Sequence, residues 1–325
     1  MKNCCAVSEI LSWYPSLTDR QRHNLSRIIN HGRIGGSGKF VILPVDQGFE
    51  HGPGRSFQPN PPGYDPVYHA QLAIDAGCNA YAAPLGALEA AAEVIAKADL
   101  PTILKVNSHD LMIPDKDDPF PALTSWVDDA VRLNCAAVGF AIYPGSSSSR
   151  EMYEQVRELV NDAREAGLAV VLWAYPRGSG LSSPEELQKL TGSEKPPAKA
   201  DIEVAVDAVC YGVHVACQLG AHIIKCKPTK PLLGLADHVK RKTYADVPIE
   251  TLADRTRLVV QSAFAGHRIV INSGGEAKSD EEVLGEIREL KAGNSFGSIV
   301  GRNAFQRTKE EGISLLHQIQ DIYVS

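Results

Sequence analysis

A helix end, a glycine and then a short apolar run recur along this chain. Ala73-Ile74-Asp75-Ala76-Gly77-Cys78-Asn79-Ala80-Tyr81 shows the pattern. Arg164-Glu165-Ala166-Gly167-Leu168-Ala169-Val170-Val171-Leu172 and Ala216-Cys217-Gln218-Leu219-Gly220-Ala221-His222-Ile223-Ile224 repeat it. Ala130-Val131-Arg132-Leu133-Asn134-Cys135-Ala136-Ala137-Val138 carries asparagine at the stop. Glycine and asparagine accept the left-handed backbone that ends helices. The runs that follow are mostly apolar, as in a strand buried on both faces of a parallel sheet. Eight strands are predicted, at 40–45, 80–83, 102–106, 137–142, 169–174, 222–225, 268–272 and 297–300. Helical periodicity separates them, as at 149–165 and 251–264.

Strict alternation of strand and helix predicts a parallel sheet, hence the α/β class. Eight units predict a closed (β/α)8 TIM barrel. The competitor is an open doubly wound sheet, which usually shows a glycine fingerprint after its first strand. Here the first strand runs into Asp46-Gln47-Gly48-Phe49-Glu50-His51-Gly52-Pro53-Gly54, which is not that fingerprint. Residues 1–37 form an N-terminal helical extension, with a helix over 17–29 at the barrel bottom or an interface. Residues 38–325 form the catalytic barrel. Residues 178–200 and 226–249 are long segments rich in Pro, Gly and Lys after the fifth and sixth strands. Loops after strands build the active-site face of such a barrel, and long ones there are candidates for lids or substrate contacts.

Composition narrows the picture little. The chain has 325 residues, 44% hydrophobic and 22% charged, which rules out global disorder, collagen and coiled coil. Its apolar runs, such as Cys135 to Tyr143, are too short to span a bilayer, so no membrane partner is expected. The formal net charge of −6 argues against nucleic acid as a partner but leaves an anionic substrate open. Met1-Lys2-Asn3-Cys4-Cys5 is not followed by the apolar stretch of a secretory leader. The seven cysteines form no C-x-x-C pair, and Cys78, Cys135, Cys210, Cys217 and Cys226 lie in apolar surroundings. Reduced thiols and a cytoplasmic location follow.

The candidate chemistry lies at the strand ends. Ser273-Gly274-Gly275 follows the seventh strand and Gly301-Arg302-Asn303 the eighth. These are the loops that most often hold phosphate in such barrels. Glycine lets backbone N–H groups approach the oxygens, a helix N-terminus adds dipole charge, and Arg302 adds a planar cationic fork. Lys225 follows two isoleucines in Ala221-His222-Ile223-Ile224-Lys225-Cys226-Lys227, where solvation explains a lysine poorly. Burial and a nearby cation would both favour its neutral amine, which can attack a carbonyl and form a Schiff base. Lys227 shares that face if the strand continues, so either lysine could be the nucleophile. Trp173 and Tyr175 can both face the site, with the phenol as acid and base. Asp46 ends the first strand, where it can handle a proton, orient a lysine or simply cap a turn.

Other motifs carry less. Gly32-Arg33-Ile34-Gly35-Gly36-Ser37-Gly38-Lys39 fails the nucleotide-loop spacing and precedes a strand. His51, His109, His214, His222 and His267 show no metal spacing, so no metal and no cofactor are expected. Ser146 to Ser149 reads as a helix start rather than a catalytic serine.

Five segments in order resemble the motifs of the archaeal-type class I fructose-bisphosphate aldolases. They are Val41-Ile42-Leu43-Pro44-Val45-Asp46-Gln47-Gly48-Phe49-Glu50-His51-Gly52, Leu172-Trp173-Ala174-Tyr175-Pro176-Arg177, Ile223-Ile224-Lys225-Cys226-Lys227, Ile271-Asn272-Ser273-Gly274-Gly275 and Val300-Gly301-Arg302-Asn303-Ala304-Phe305. The resemblance spans roughly residues 30–323. It implies a (β/α)8 barrel and a metal-independent Schiff-base cleavage of fructose 1,6-bisphosphate, a lyase step of glycolysis and gluconeogenesis. By position, Lys225 matches the family's Schiff-base lysine, Tyr175 its proton-transfer residue, Trp173 the neighbour in the pocket and Asp46 the first-strand acid. Ser273, Gly274, Gly275, Gly301 and Arg302 match positions that hold the phosphate of the dihydroxyacetone half, and Arg177 meets the other phosphate. A homo-oligomer acting on a phosphorylated sugar is implied as well. The segment 228–248 resembles the family least, which leaves open a related lysine-dependent aldolase on another phosphorylated ketose. A non-catalytic phosphosugar-binding protein is the alternative from another class.

Overall fold

Parallel strands that follow one another in sequence also lie side by side, and the last one closes on the first. The computed structural model describes residues 2–110, 112–114 and 118–325. The strands are β1 (Phe40–Pro44), β2 (Ala80–Ala83), β3 (Thr102–Lys105), β4 (Ala137–Ile142), β5 (Ala169–Ala174), β6 (Ile223–Cys226), β7 (Ile269–Ser273) and β8 (Gly297–Ile299). They form a closed barrel with helices between them, the TIM barrel expected from the sequence. The seam pairs Phe40 with Gly297, Val41 with Ser298 and Ile42 with Ile299. Every residue of β1 to β6 is buried, which explains why these segments read as unbroken apolar runs.

The outer helices follow from ordinary amphipathic spacing. Helix Ser149–Ala166 buries Met152, Val156, Leu159 and Ala163, one stripe of a helical surface. Gly167 ends it with φ 79°. A Cβ there would also fall 2.3 Å from the Cβ of Arg20, so the same glycine stops one helix and admits another.

The N-terminal helices sit under the barrel. They are α1 (Lys2–Ser12), which the sequence did not announce, and α2 (Asp19–Asn30), with a reciprocal Thr18–Gln21 cap. Between them, the Tyr14 hydroxyl donates to the His222 carbonyl at 2.6 Å and accepts from the Ile269 N–H at 3.2 Å. Gln21 donates to the Leu168 carbonyl and Asn24 to that of Gly167. These contacts reach the starts of β5, β6 and β7. They explain two shifted boundaries: His222 and Arg268, expected in strands, stand just before β6 and β7. The carbonyl of His222 goes to Tyr14, and the guanidinium of Arg268 goes to the Trp13 carbonyl.

The long segments after β5 and β6 are built rather than slack. They contain helices Pro184–Thr191, Lys199–Ile202 and Ala236–Lys240. Fully buried Asp207 accepts from the N–H groups of Gly234 and Leu235 and pairs with His238 at 2.9 Å. A two-residue antiparallel ladder, Asn107–Ser108 with Ala122–Leu123, follows β3 and had no signal in the sequence.

The cysteines Cys78, Cys135, Cys210, Cys217 and Cys226 are buried and free, as their surroundings predicted. The leader expectation rests partly on Met1, which lies outside the described residues. Among the described residues, no helix is long and apolar enough to cross a membrane. None of their His, Cys, Asp and Glu side chains group in a way that could hold a metal ion.

Candidate active site

Lys225 lies on β6, 4% exposed, with its Nζ 5.1 Å from the centre of the Trp173 ring and 5.7 Å from that of Tyr175. The register explains this closeness, because Lys225 pairs with Trp173 across β5 and β6. Burial pushes the pKa of Lys225 down. Asp46 and Glu50 oppose that shift, while Lys105 and Lys227 add to it. A lysine in this setting reaches its nucleophilic amine form more easily than one in water.

Tyr175 stands just past the end of β5, its N–H donating to the Ile142 carbonyl at 3.1 Å. Burial, then the charges of Glu50 and Asp46, raise its pKa well above the usual phenol range. The phenol is therefore protonated at neutral pH, and the phenolate it leaves after donating is a strong base. Lys227 falls beyond the last residue of β6, so the shared-face argument for it does not apply. Its ammonium nevertheless lies 5.7 Å from the Tyr175 ring, beside the site. Burial separates the two lysines, since Lys225 is buried and Lys227 is partly open.

Trp173 is 1% exposed and occupies space that a missing side chain leaves. A Cβ on Gly139 of β4 would come within 2.2 Å of its Cζ3. The indole Nε1 is buried with no hydrogen-bond partner, a donor that its own packing leaves unused. Gly139→Ala should therefore overpack this layer, at a cost of about 1–3 kcal/mol in urea unfolding. The displaced indole should also lower kcat, and an unchanged urea midpoint would refute the packing argument.

Asp46 is 4% exposed and precedes the one-turn helix Gln47–Glu50, yet its side chain makes no capping bond. The structural alternative for this residue thus lacks its hydrogen bond. Its carboxylate bears on Lys225, Lys105, Tyr175 and His51. Glu50, which sequence reasoning missed, acts on Lys225, Tyr175, Lys105, Lys227 and Arg177, and its Oε1 is buried without a partner. His51 was set aside for lack of a metal spacing. It lies in the same group, its pKa lowered to about 4 by burial and then by Arg302 and Arg55, and its Nδ1 is unpartnered.

Ser273, Gly274, Gly275, Gly301 and Arg302 come together as two touching loops. Arg302 donates to the Gly275 carbonyl at 3.1 Å, and Gly274 N–H to the Ile299 carbonyl. Asn303, not singled out beforehand, ties the loops by donating to the carbonyls of Gly274 and Glu276 and accepting from the Lys278 N–H. Gly275 has φ 67°, a conformation that a side chain resists.

The expected helix-dipole contribution needs correction. The helix after Gly301 is the single turn Arg302–Phe305, and the helix after β7 begins only at Asp280, with Asp280, Glu281 and Glu282 in its first turn. The Ser279 cap and these acids already occupy that N-terminus, which leaves Arg302 as the cationic group of the two loops. Arg302 also acts on the charges of Lys227 and His51, which links these loops to the lysine centre. Arg177 also borders the centre. Its guanidinium lies 5.0 Å from the Tyr143 ring and 5.9 Å from that of Tyr175, and its Nε makes no hydrogen bond but pairs with Glu203 Oε2 at 3.9 Å.

A closed parallel barrel with its reactive side chains gathered at the carboxyl ends of its strands defines the class of this protein. Residues 40–307 match the DeoC/LacD family of aldolases, and the chain belongs to that family. The probable fructose-bisphosphate aldolase class 1 of Chlamydia muridarum is 34% identical over 313 residues, covering 94% of this chain and 85% of that protein. The fructose-bisphosphate aldolase class 1 of Thermoproteus tenax is 31% identical over 271 residues, covering 83% and 84% of the two. An archaeal fructose-1,6-bisphosphate aldolase, solved with its catalytic lysine covalently bound to the carbinolamine intermediate of the substrate, superposes with a TM-score of 0.69 at 25% identity. That match covers 97% of this chain and 100% of the other.

Proposed function

We propose that this protein is a class I fructose-bisphosphate aldolase, a lyase that cleaves fructose 1,6-bisphosphate reversibly through a Schiff base on Lys225. The observation that carries the reading is the buried Lys225 Nζ, 5.1 Å from the Trp173 ring and 5.7 Å from that of Tyr175, in a family of aldolases. The Lys225 amine adds to the C2 ketone to give a carbinolamine. The Tyr175 phenol protonates the departing hydroxyl, which leaves as water and forms the iminium. The Tyr175 phenolate, assisted by Asp46, then takes the proton of the C4 hydroxyl. The C3–C4 bond breaks, its electron pair neutralises the iminium as an enamine, and glyceraldehyde 3-phosphate departs. Protonation of the enamine at C3 and addition of water release dihydroxyacetone phosphate and restore the amine. Ser273, Gly274, Gly275, Gly301 and Arg302 hold the phosphate of the dihydroxyacetone half, and Arg177 meets the other.

The reading includes a homo-oligomer in the cytoplasm, with no metal, cofactor, nucleic-acid or membrane partner. Its barrel domain is residues 38–325, and residues 1–37 are a helical extension. The family resemblance supports the oligomer, and the buried free thiols support a reducing compartment. The test is incubation with fructose 1,6-bisphosphate, borohydride reduction and peptide mapping. The expected result is a covalent sugar-phosphate adduct on Lys225, with both triose phosphates among the products of the unreduced reaction. An adduct on Lys227 would move the nucleophile. Binding without an adduct would favour a non-catalytic phosphosugar-binding protein, and an adduct formed only with a different ketose phosphate would change the substrate.

A further inference from the structure

We infer that Lys105, the buried lysine that ends β3, is a positioning residue of the Schiff-base centre, tethered by Asn107 beside the Trp173 ring so that its charge acts on Lys225. The inference rests on Lys225 being the Schiff-base lysine.

Lys105 is 1% exposed, and a buried ammonium is expensive unless it is paired or used. Among the described residues, its hydrogen bonds go to Asn107 alone, to the backbone carbonyl and to Oδ1 at 3.3 Å. Two of its three donors are used, and neither acceptor carries a charge. Asn107 is itself locked. It donates from Nδ2 to the Ala141 carbonyl at 2.9 Å and accepts from the Ala141 N–H at 2.7 Å, as a neighbouring strand would. The Lys105 head group is therefore held by Asn107, whose own side chain is fixed to Ala141 of β4.

It is also held at the reactive centre. Its Nζ lies 5.6 Å from the Trp173 ring, the same ring that lies 5.1 Å from the Lys225 Nζ. The charges acting on Lys225 come from Asp46 and Glu50 beyond β1, Lys105 on β3 and Lys227 beyond β6, with the Tyr175 ring 5.7 Å away. The two carboxylates favour the ammonium of Lys225 and the two lysines favour its amine. Lys227 also lies beside Arg177, Arg302 and Glu203, so its field belongs partly to the phosphate side. Burial pushes the pKa of Lys105 down as well, but Glu50 and Asp46 oppose that shift and favour its ammonium, whose field is strong in a desolvated site. No bond forms to Lys105. It acts by making proton loss from Lys225 easier before the attack on the ketone.

The test is the pH dependence of borohydride trapping with dihydroxyacetone phosphate, followed on Lys225 from acid to alkaline pH. Wild-type protein must first give the Lys225 adduct; its failure to do so would overturn the Lys225 reading before Lys105 is examined. Lys105→Met removes both the charge and the donors. Lys105→Gln keeps a donor for the Asn107 carbonyl and removes only the charge, and Lys105→Arg keeps the charge. The expected result is that the Met and Gln variants trap about tenfold more slowly on the acid limb, a midpoint shift of about one pH unit. They should approach the wild-type rate at alkaline pH, and Lys105→Arg should keep the wild-type midpoint. A Gln variant with an unshifted midpoint overturns the inference, whether or not the Met variant folds. So does a loss that is equal at every pH, which a purely structural lysine would give.

Discussion

Lys225→Met should form no borohydride-stable adduct and lose at least about 10⁴-fold in kcat, while still binding fructose 1,6-bisphosphate. The size follows from the role. The iminium provides the electron sink for carbon–carbon cleavage, and no other group at the centre can replace a covalent intermediate. The variant should also fold. Lys225 is buried against the Trp173 ring, and methionine fills similar volume with no charge to desolvate. Its unfolding midpoint should equal or exceed that of the wild type, as expected when a buried active-site amine is replaced by an apolar side chain. A variant that unfolds would mean that the ammonium is structural. A folded variant with wild-type turnover would remove Lys225 from the mechanism.

Tyr175→Phe should cost about 10²–10⁴-fold in kcat, the range typical of general acid–base catalysis. Only the hydroxyl is removed, so the ring that lies near Lys225, Lys227 and Arg177 stays in place. Substrate binding should change little and the adduct on Lys225 should still be captured. The burial of the phenol is what makes it suited to the work. Its pKa is raised by desolvation first and by Glu50 and Asp46 next, so the proton is present at neutral pH and is taken back readily once given. Near-normal kcat would transfer the proton steps to Asp46 or Glu50, and kinetics of the corresponding amides would then decide between them.

Much of the architecture was legible because the barrel's strands are short and buried on both faces. Ala80–Ala83, Ala137–Ile142 and Ala169–Ala174 fall where the apolar runs placed them. The starts of β6 and β7 were misplaced by one residue because Tyr14, more than two hundred positions away, takes the backbone groups beside them. No local pattern encodes such a partner. The same holds for α1, whose Ile10 is buried only against the finished barrel.

The candidate site was legible where residues stand at strand ends. Lys225 stood out because a charge follows Ile223 and Ile224. Lys105 has the same signature after Ile103 and Leu104, and that signal was available but unused. Glu50 had none. It lies on the turn of helix beyond Asp46, and only folding brings it among the lysines. Asn303 looked like one polar residue of a loop, and its value lies in joining carbonyls from a different loop.

The seam between β1 and β8 has a consequence for how activity is acquired. Asp46 follows the first strand, Arg302 follows the last, and the two elements meet through only three residue pairs. At Gly297 a Cβ would fall 2.0 Å from the Phe40 carbonyl oxygen, so the closing strands can approach only without a side chain there. A chain under synthesis holds Lys225 before it holds both ends of this ring, and a refolding chain must bring those ends together across most of its length. Adduct formation is thus a clock for the final ligation of the fold. During refolding, helical signal should return first, and covalent capture of the sugar phosphate should return only when the two ends of the chain have met.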